Sequence, residues 1–123
     1  MLRQDYIGRL IQQLAEALAR IAGLSRRDQR DEIEQELQSA EAALGLFKGM
    51  DRLDARSAAM ILGGGDKVVL AAQLIEQRAM LAAEAGDAAR EAVLRRRARE
   101  LLACATPHEL VREAAELGTR LGR

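Results

Sequence analysis

The chain has 123 residues, of which 49% are hydrophobic, and this size suits one globular domain with a moderate core. Its 19 basic and 19 acidic residues cancel to a net charge of zero. A neutral chain lacks the excess positive charge that is typical of general nucleic-acid binders and of proteins that bind membrane surfaces. Composition therefore favours neither a membrane nor a nucleic acid as the partner.

Residue usage favours helices along the whole chain. The 24 Ala and 19 Leu residues make up about a third of it, Trp is absent, and Phe and Tyr occur once each. Ala and Leu are strong helix formers, whereas strands are enriched in β-branched and aromatic residues. We therefore predict an all-α fold of about six helices, arranged in antiparallel hairpins.

The single cysteine, Cys104, lies in an apolar helical stretch and cannot form a disulfide within the chain. This usage is typical of a reducing compartment, with the thiol as a small buried hydrophobic group. The amino-terminal segment carries charges at Arg3 and Asp5 and has no apolar stretch long enough to span a bilayer. The sequence predicts a cytoplasmic protein.

Residues 1–45 are predicted to form a first helical hairpin. In the first helix, residues 5–22, apolar side chains recur at alternating steps of four and three, which places them on one face. Ser25 and Asp28 then resemble a capping box that opens the second helix. This second helix is the most acidic of the chain, and its apolar stripe consists of Ile33, Leu37, Ala40 and Leu44.

Residues 46–65 are predicted to be an irregular connection with one short helix. Asp54 is placed to cap that helix, which continues through residues 58–62. The three glycines at positions 63–65 end it, because glycine adopts the left-handed conformation at a helix end without a steric penalty. We expect Asp66 to cap the helix that follows.

Residues 66–105 are predicted to form a second helical hairpin and are the clearest unit of the sequence. A helix pattern from residue 67 to 85 is followed by the break Gly86-Asp87 and by another helix pattern. So short a break makes the two helices antiparallel neighbours. The first of them is apolar over a wide arc, which predicts neighbours on more than one side.

A C-terminal helix is predicted over residues 107–121. Thr106, Pro107 and Glu109 match the cap, the first-turn proline and the N3 glutamate of a helix start. With this helix the four parts form a single helical domain over residues 1–123.

The stretch from residue 74 to 102 resembles a tetratricopeptide-type helical hairpin, with Gly86-Asp87 at its turn. Small residues occupy the expected helix crossing, namely Ala79, Ala92 and Ala98. The usual aromatic positions hold other residues such as Arg96, and no second copy follows at a period of about 34 residues. The resemblance implies a protein-binding unit, within either a tetratricopeptide-like array or a compact bundle.

A second resemblance begins at the amino terminus. Asp5, Tyr6, Ile7, Gly8 and Arg9 follow the Asp-Tyr-Ile-x-Arg opening of a family of small uncharacterised bacterial helical proteins, a domain of unknown function that also carries a Gly-Asp hairpin. The similarity spans most of the chain. It implies a helical fold without a known activity, and it marks Asp5, Tyr6 and Arg9 as the family-like motif.

The sequence offers no constellation of residues with an evident chemistry. The run from Gly63 to Lys67 lacks the glycine spacing of a phosphate loop and the Ser or Thr that should follow Lys67, and Asp66 would repel a phosphate. One histidine, His108, and one cysteine, Cys104, are too few for a four-ligand zinc site. We predict no catalytic residue, no metal site and no cofactor.

The arginine run at positions 95–97, together with Arg99, is the sharpest charged feature. Successive helical residues are rotated by about 100°, so the run cannot form a single patch, but Arg95 and Arg99 share a face. Glu91 is placed to pair with Arg95 at an i, i+4 offset. We predict Arg95, Arg96 and Arg99 as partner-binding residues. A solvated helix surface and ion pairs with the acidic second helix are the alternatives.

The sequence thus predicts a protein–protein interaction or self-assembly module rather than an enzyme. The apolar stripes on the first and fourth helices are larger than the surface that six short helices are expected to bury. This favours a homo-oligomer, such as a homodimer, in which a second molecule covers the rest. The alternative is a nucleic-acid-linked regulator that uses the face from Arg95 to Arg99 together with Arg26, Arg27 and Arg30. No small-molecule substrate is evident.

Overall fold

The computed structural model describes residues 2–24, 28–105 and 110–122, with side chains from Tyr6 onward. In these ranges the chain forms helices and no strand, which confirms the all-α prediction. A single 3-10 turn, Met50–Arg52, lies in the connection between the second and third α-helices. The α-helices in chain order are α1 (Leu2–Ala22), α2 (Arg30–Leu44), α3 (Ala55–Leu62), α4 (Gly65–Glu84), α5 (Ala88–Ala103) and α6 (Val111–Arg120).

Helix α4 is the centre of the fold and contacts each of the other five α-helices. Its side chains are buried over most of its circumference, as the wide apolar arc predicts. Its most extensive contact is with α5. The core of the protein therefore surrounds α4 rather than lying between two separate hairpins.

The predicted hairpin of α4 and α5 is confirmed. Gly86 adopts a φ of +77° between the two helices, a conformation that glycine accepts without strain. The Asp87 carboxylate accepts a hydrogen bond of 3.0 Å from the backbone N–H of Arg90, which caps the start of α5. The same device opens α3, where Asp54 accepts from the Ser57 N–H, as predicted.

The apolar stripes of α1 and α4 are covered in large part within the chain. Leu14 and Ile21 of α1 are fully buried, and so are Val69 and Leu74 of α4. Neighbouring helices pack around α4 and enclose most of these side chains, but other residues of the α1 stripe, such as Ile11, are only half-buried, so the homo-oligomer stays a prediction.

Helices α1 and α4 begin earlier than the sequence predicts. Helix α1 begins at Leu2, three residues earlier than predicted. Helix α4 begins at Gly65 and has Gly64 at its N-cap position, so Asp66 lies in the first turn and is not the cap. The Asp66 carboxylate instead accepts a hydrogen bond of 3.2 Å from the backbone N–H of Leu110, directly before α6. Asp66, which the local sequence predicts as a helix cap, is therefore used in a tertiary contact with the segment before α6.

Helices α2 and α6, in contrast, begin later than their sequence patterns predict. Helix α2 begins at Arg30, and Ser25 of the predicted capping box lies outside the described residues. Helix α6 begins at Val111, whereas the predicted start signal at positions 106–109 lies outside the described residues. None of the helices in the described part of the chain has the length and apolar character needed to cross a bilayer.

Candidate protein-binding groove

A cavity of ≈ 570 Å³ lies on one side of the α4–α5 hairpin. Side chains of α2, α3, α4 and α5 line it, together with residues 46–51 of the connection after α2. We call this cavity the α5 groove. Its volume lies within the range of about 300–1,000 Å³ that is typical of ligand-binding clefts.

The floor of the α5 groove is apolar. Leu101 and Met50 are buried at its base, and Leu94 and Ile75 are half-buried. Phe47, the only phenylalanine of the chain, lines the groove with 51% of its surface exposed. A large apolar side chain at the edge of an apolar cleft is typical of a binding surface.

The connection after α2 presents Phe47 and Lys48 at the groove. Gly49 adopts a φ of +95°, which lets the chain reverse direction, and the Met50 N–H donates to the Phe47 carbonyl oxygen at 3.1 Å. The Met50 side chain is buried and anchors the turn. The hydrogen bond and the buried Met50 fix this turn. Phe47 is therefore exposed on an ordered turn and not on a long loop.

The wall between α2 and α4 is held by a cluster of ion pairs around Arg78. Its guanidinium donates two hydrogen bonds to the Glu41 carboxylate, at 2.8 and 2.9 Å, and another to Glu34. These bonds raise the pKa of Arg78 above its ordinary value, and the bond from Arg78 lowers the pKa of Glu34. The charge of Arg78 is therefore neutralised within the protein.

Three other cations line the α5 groove, namely Lys48, Arg90 and Arg97. None of them takes part in an ion pair in the part of the chain that the structure describes. Arg97 donates one hydrogen bond of 3.2 Å to the Met50 carbonyl oxygen, which fixes its guanidinium against the connection. The groove thus combines an apolar floor with cations that have no carboxylate partner in the described residues.

The structure places the predicted partner-binding arginines away from this groove. Arg95 pairs with Glu91 at 2.8 Å, as predicted, and Arg96 pairs with Glu100 at 3.4 Å. Arg99 donates to the Leu121 carbonyl oxygen at 3.0 Å. These three side chains do not line the α5 groove, because the rotation of successive residues around α5 turns them to other sides of the helix.

The glutamates of the acidic helix α2 form ion pairs with arginines of α1 and α4. Arg20 of α1 pairs with Glu36 at 3.1 Å, and Arg78 of α4 pairs with Glu34 and Glu41. The hydrogen bond of Arg20 to Glu36 raises the pKa of this arginine. Among the described residues no ion pair joins the arginine run of α5 to α2, although both helices line the α5 groove.

Sequence reasoning missed the two arginines of α5 that line the groove, Arg90 and Arg97. A signal was present, because Arg90, Leu94, Arg97 and Leu101 follow one another at steps of four, three and four. This is the spacing of a coiled-coil seam. Because two of its four positions are arginines, the stripe does not show as an apolar pattern in the sequence.

The family-like motif lies at the start of α1 and contributes no side chain to the α5 groove. Lys67 of α4 places its Nζ atom 5.5 Å from the centroid of the Tyr6 ring, a cation–π contact between α1 and α4. Arg9 is exposed, and the Asp5 side chain lies outside the described part. In the structure Tyr6 therefore has a packing role.

The described residues hold no group of three or more metal-ligating side chains. His108 lies outside them, and Cys104 is half-buried beside a second cavity, of ≈ 660 Å³, between α3 and the end of α5. Comparison with protein-family models, with curated proteins and with solved structures finds no match to this chain. The geometry of the α5 groove is therefore the basis on which a function can be proposed.

Proposed function

We propose that this chain is a protein-interaction module that binds a segment of a partner protein in the α5 groove. The observation that carries the proposal is the apolar floor of the groove with the half-exposed Phe47 at its edge. Burial of such apolar surface is the main favourable contribution to protein association.

The shape of the groove favours a segment of protein over a small molecule. The stripe on α5 from Arg90 to Leu101 spans about 16 Å, or three helical turns. A cleft of that length between helices matches the mode in which an amphipathic helix places its apolar face in a groove.

The other predicted roles are not proposed for this protein. Self-assembly is predicted from the stripes on α1 and α4, which the chain itself covers in large part. The alternative role, nucleic-acid binding, uses arginines that form internal contacts: Arg95 and Arg96 pair with glutamates of α5, and Arg30 donates to the Leu81 carbonyl oxygen. Arg26 and Arg27 lie outside the described residues.

A substitution that fills the groove tests the proposal. Ala42 lies on the exposed side of α2 and lines the groove, so Ala42→Trp places an indole in the cleft without entering the core. Ala115→Trp is the matched control, because Ala115 is exposed on α6 and does not line the groove. Circular dichroism of both variants checks that the helices are retained.

The measurement is selection of a phage-displayed library of random peptides on the immobilised wild-type chain. We expect enriched peptides that bind the wild type and the Ala115→Trp variant, and that lose at least about tenfold in affinity for Ala42→Trp. Failure to enrich any peptide, or equal binding to the Ala42→Trp variant, would overturn the proposal.

A further inference from the structure

The charges around the α5 groove indicate the charge of its occupant. Arg78 is neutralised by two carboxylates of α2, but Lys48, Arg90 and Arg97 have no such partner in the described residues. Against these three cations the groove sets Asp51 as the one further acidic side chain of its lining. With Arg78, Glu34 and Glu41 included, four cations face three carboxylates, so the groove has a small net charge of +1, which is concentrated at Lys48, Arg90 and Arg97.

The positions of Arg90 and Arg97 are matched to a helix. They are seven residues apart on α5, with Leu94 between them, and therefore lie two turns apart on one face. A second helix that packs along this stripe repeats the same seven-residue spacing, because both helices present a seam with a period of about 3.5 residues. The side chains of this second helix then contact Arg90, Leu94 and Arg97 in that order.

Arg97 is held ready for an anionic partner. Its Nη2 atom donates to the Met50 carbonyl oxygen at 3.2 Å, which uses one of the five N–H donors of the guanidinium. The remaining donors can bind a carboxylate, and the fixed position lowers the conformational entropy that binding removes. Arg90, in contrast, is exposed near the start of α5 and can adjust to its partner.

We infer that the partner segment is an acidic amphipathic helix. Two carboxylate side chains, seven residues apart in the partner, pair with Arg90 and Arg97, and an apolar side chain between them contacts Leu94 and Phe47. This inference rests on the proposed protein-binding function and adds the chemistry of the partner to it.

Three synthetic helical peptides of about three turns test the inference. They share leucines between the two charged positions and differ only there, where the pair is Glu, Gln or Lys. Binding to the full chain is measured by fluorescence anisotropy. We expect the Glu peptide to bind about tenfold more tightly than the Gln peptide, with an affinity that falls as salt is added, and the Lys peptide to bind most weakly.

The variant Arg90→Glu identifies the site of this charge preference. It should remove most of the advantage of the Glu peptide and strengthen binding of the Lys peptide. Arg96→Glu is the matched control, because it makes the same change of charge on the same helix at an exposed position that does not line the groove. It should leave the order of the three affinities unchanged.

The outcomes separate this inference from the proposed function. Equal affinities of the Glu and Gln peptides, or binding of none of the three, would overturn the acidic helix as the partner. The selected library peptides, and their loss on Ala42→Trp, would still support a protein-binding groove. A preference for Glu that Arg96→Glu abolishes as fully as Arg90→Glu would place the site elsewhere and overturn the inference.

Discussion

The two sides of the α4–α5 hairpin differ in what covers them. On one side α6 packs over the hairpin, and Ala72 of α4 and Ala98 of α5 have no exposed surface. On another side lies the α5 groove, where Leu94 is only half-buried. The same two helices therefore build a closed face and an open face.

Side-chain size and charge explain this difference. Alanines on the closed face let α6 approach closely, and its leucines fill the space above them. The polar groups of that face are also satisfied, since Arg120 of α6 binds the buried Glu76 carboxylate through hydrogen bonds of 2.9 and 3.0 Å. On the open face Lys48, Arg90 and Arg97 lack such a partner in the described residues. The comparison indicates that α6 completes the fold, whereas the groove is available to another protein.

The largest expected effect is on the closed face, at Leu117. Its side chain is fully buried between α6 and the hairpin, so Leu117→Ala leaves a cavity and should lower the free energy of unfolding by about 3 kcal/mol. Val111→Ala, at a mostly exposed position of the same helix, should change it by less than about 0.5 kcal/mol. Chemical denaturation measures both values. Similar losses for the two variants would show that α6 does not close this face.

The next effect concerns the ion pair of the closed face. Arg120→Ala leaves the Glu76 side chain, which is 4% exposed, without its counter-ion, and should lower the free energy of unfolding by about 2 kcal/mol. Arg112→Ala, at an 81% exposed position on α6, should have an effect near zero.

Adding Glu76→Gln tests the cause of that loss. It removes the unpaired charge, so the double variant should recover part of the stability lost in Arg120→Ala. Thermal denaturation of the single and double variants provides the comparison. A double variant less stable than Arg120→Ala alone would contradict the role assigned to the buried carboxylate.

The smallest effect on stability is expected on the open face. Phe47 is 51% exposed, so Phe47→Ala should lower the free energy of unfolding by about 1 kcal/mol or less. The same change should weaken binding of the library-selected peptides by about tenfold, because an aromatic side chain at the edge of a groove contributes strongly to association. Isothermal titration calorimetry and chemical denaturation on the same samples test this contrast. Loss of stability without loss of binding would mean that Phe47 serves the fold instead.

The arginines that the sequence predicts as partner-binding differ from those that line the α5 groove. The run at positions 95–97 with Arg99 stands out in the sequence, but its four members are distributed around α5 and each of them forms a contact within the protein. Arg90 lies before the run, and none of its neighbours in the sequence marks it as a binding residue. Only the packing of α5 against the connection after α2 shows that Arg90 and Arg97 line one groove.

The sequence by itself determined the features that depend on neighbouring residues. The all-helical content, the hairpin turn at Gly86-Asp87 and the cap at Asp54 follow from helix propensity, glycine conformation and side-chain capping, which act within a few residues. Tertiary structure alone decided which faces are covered. It assigned Asp66 to the backbone of Leu110 and joined Arg120 to Glu76, pairs that are both 44 residues apart in the chain. Such contacts depend on where α4 lies among its neighbours, and no local pattern encodes that position.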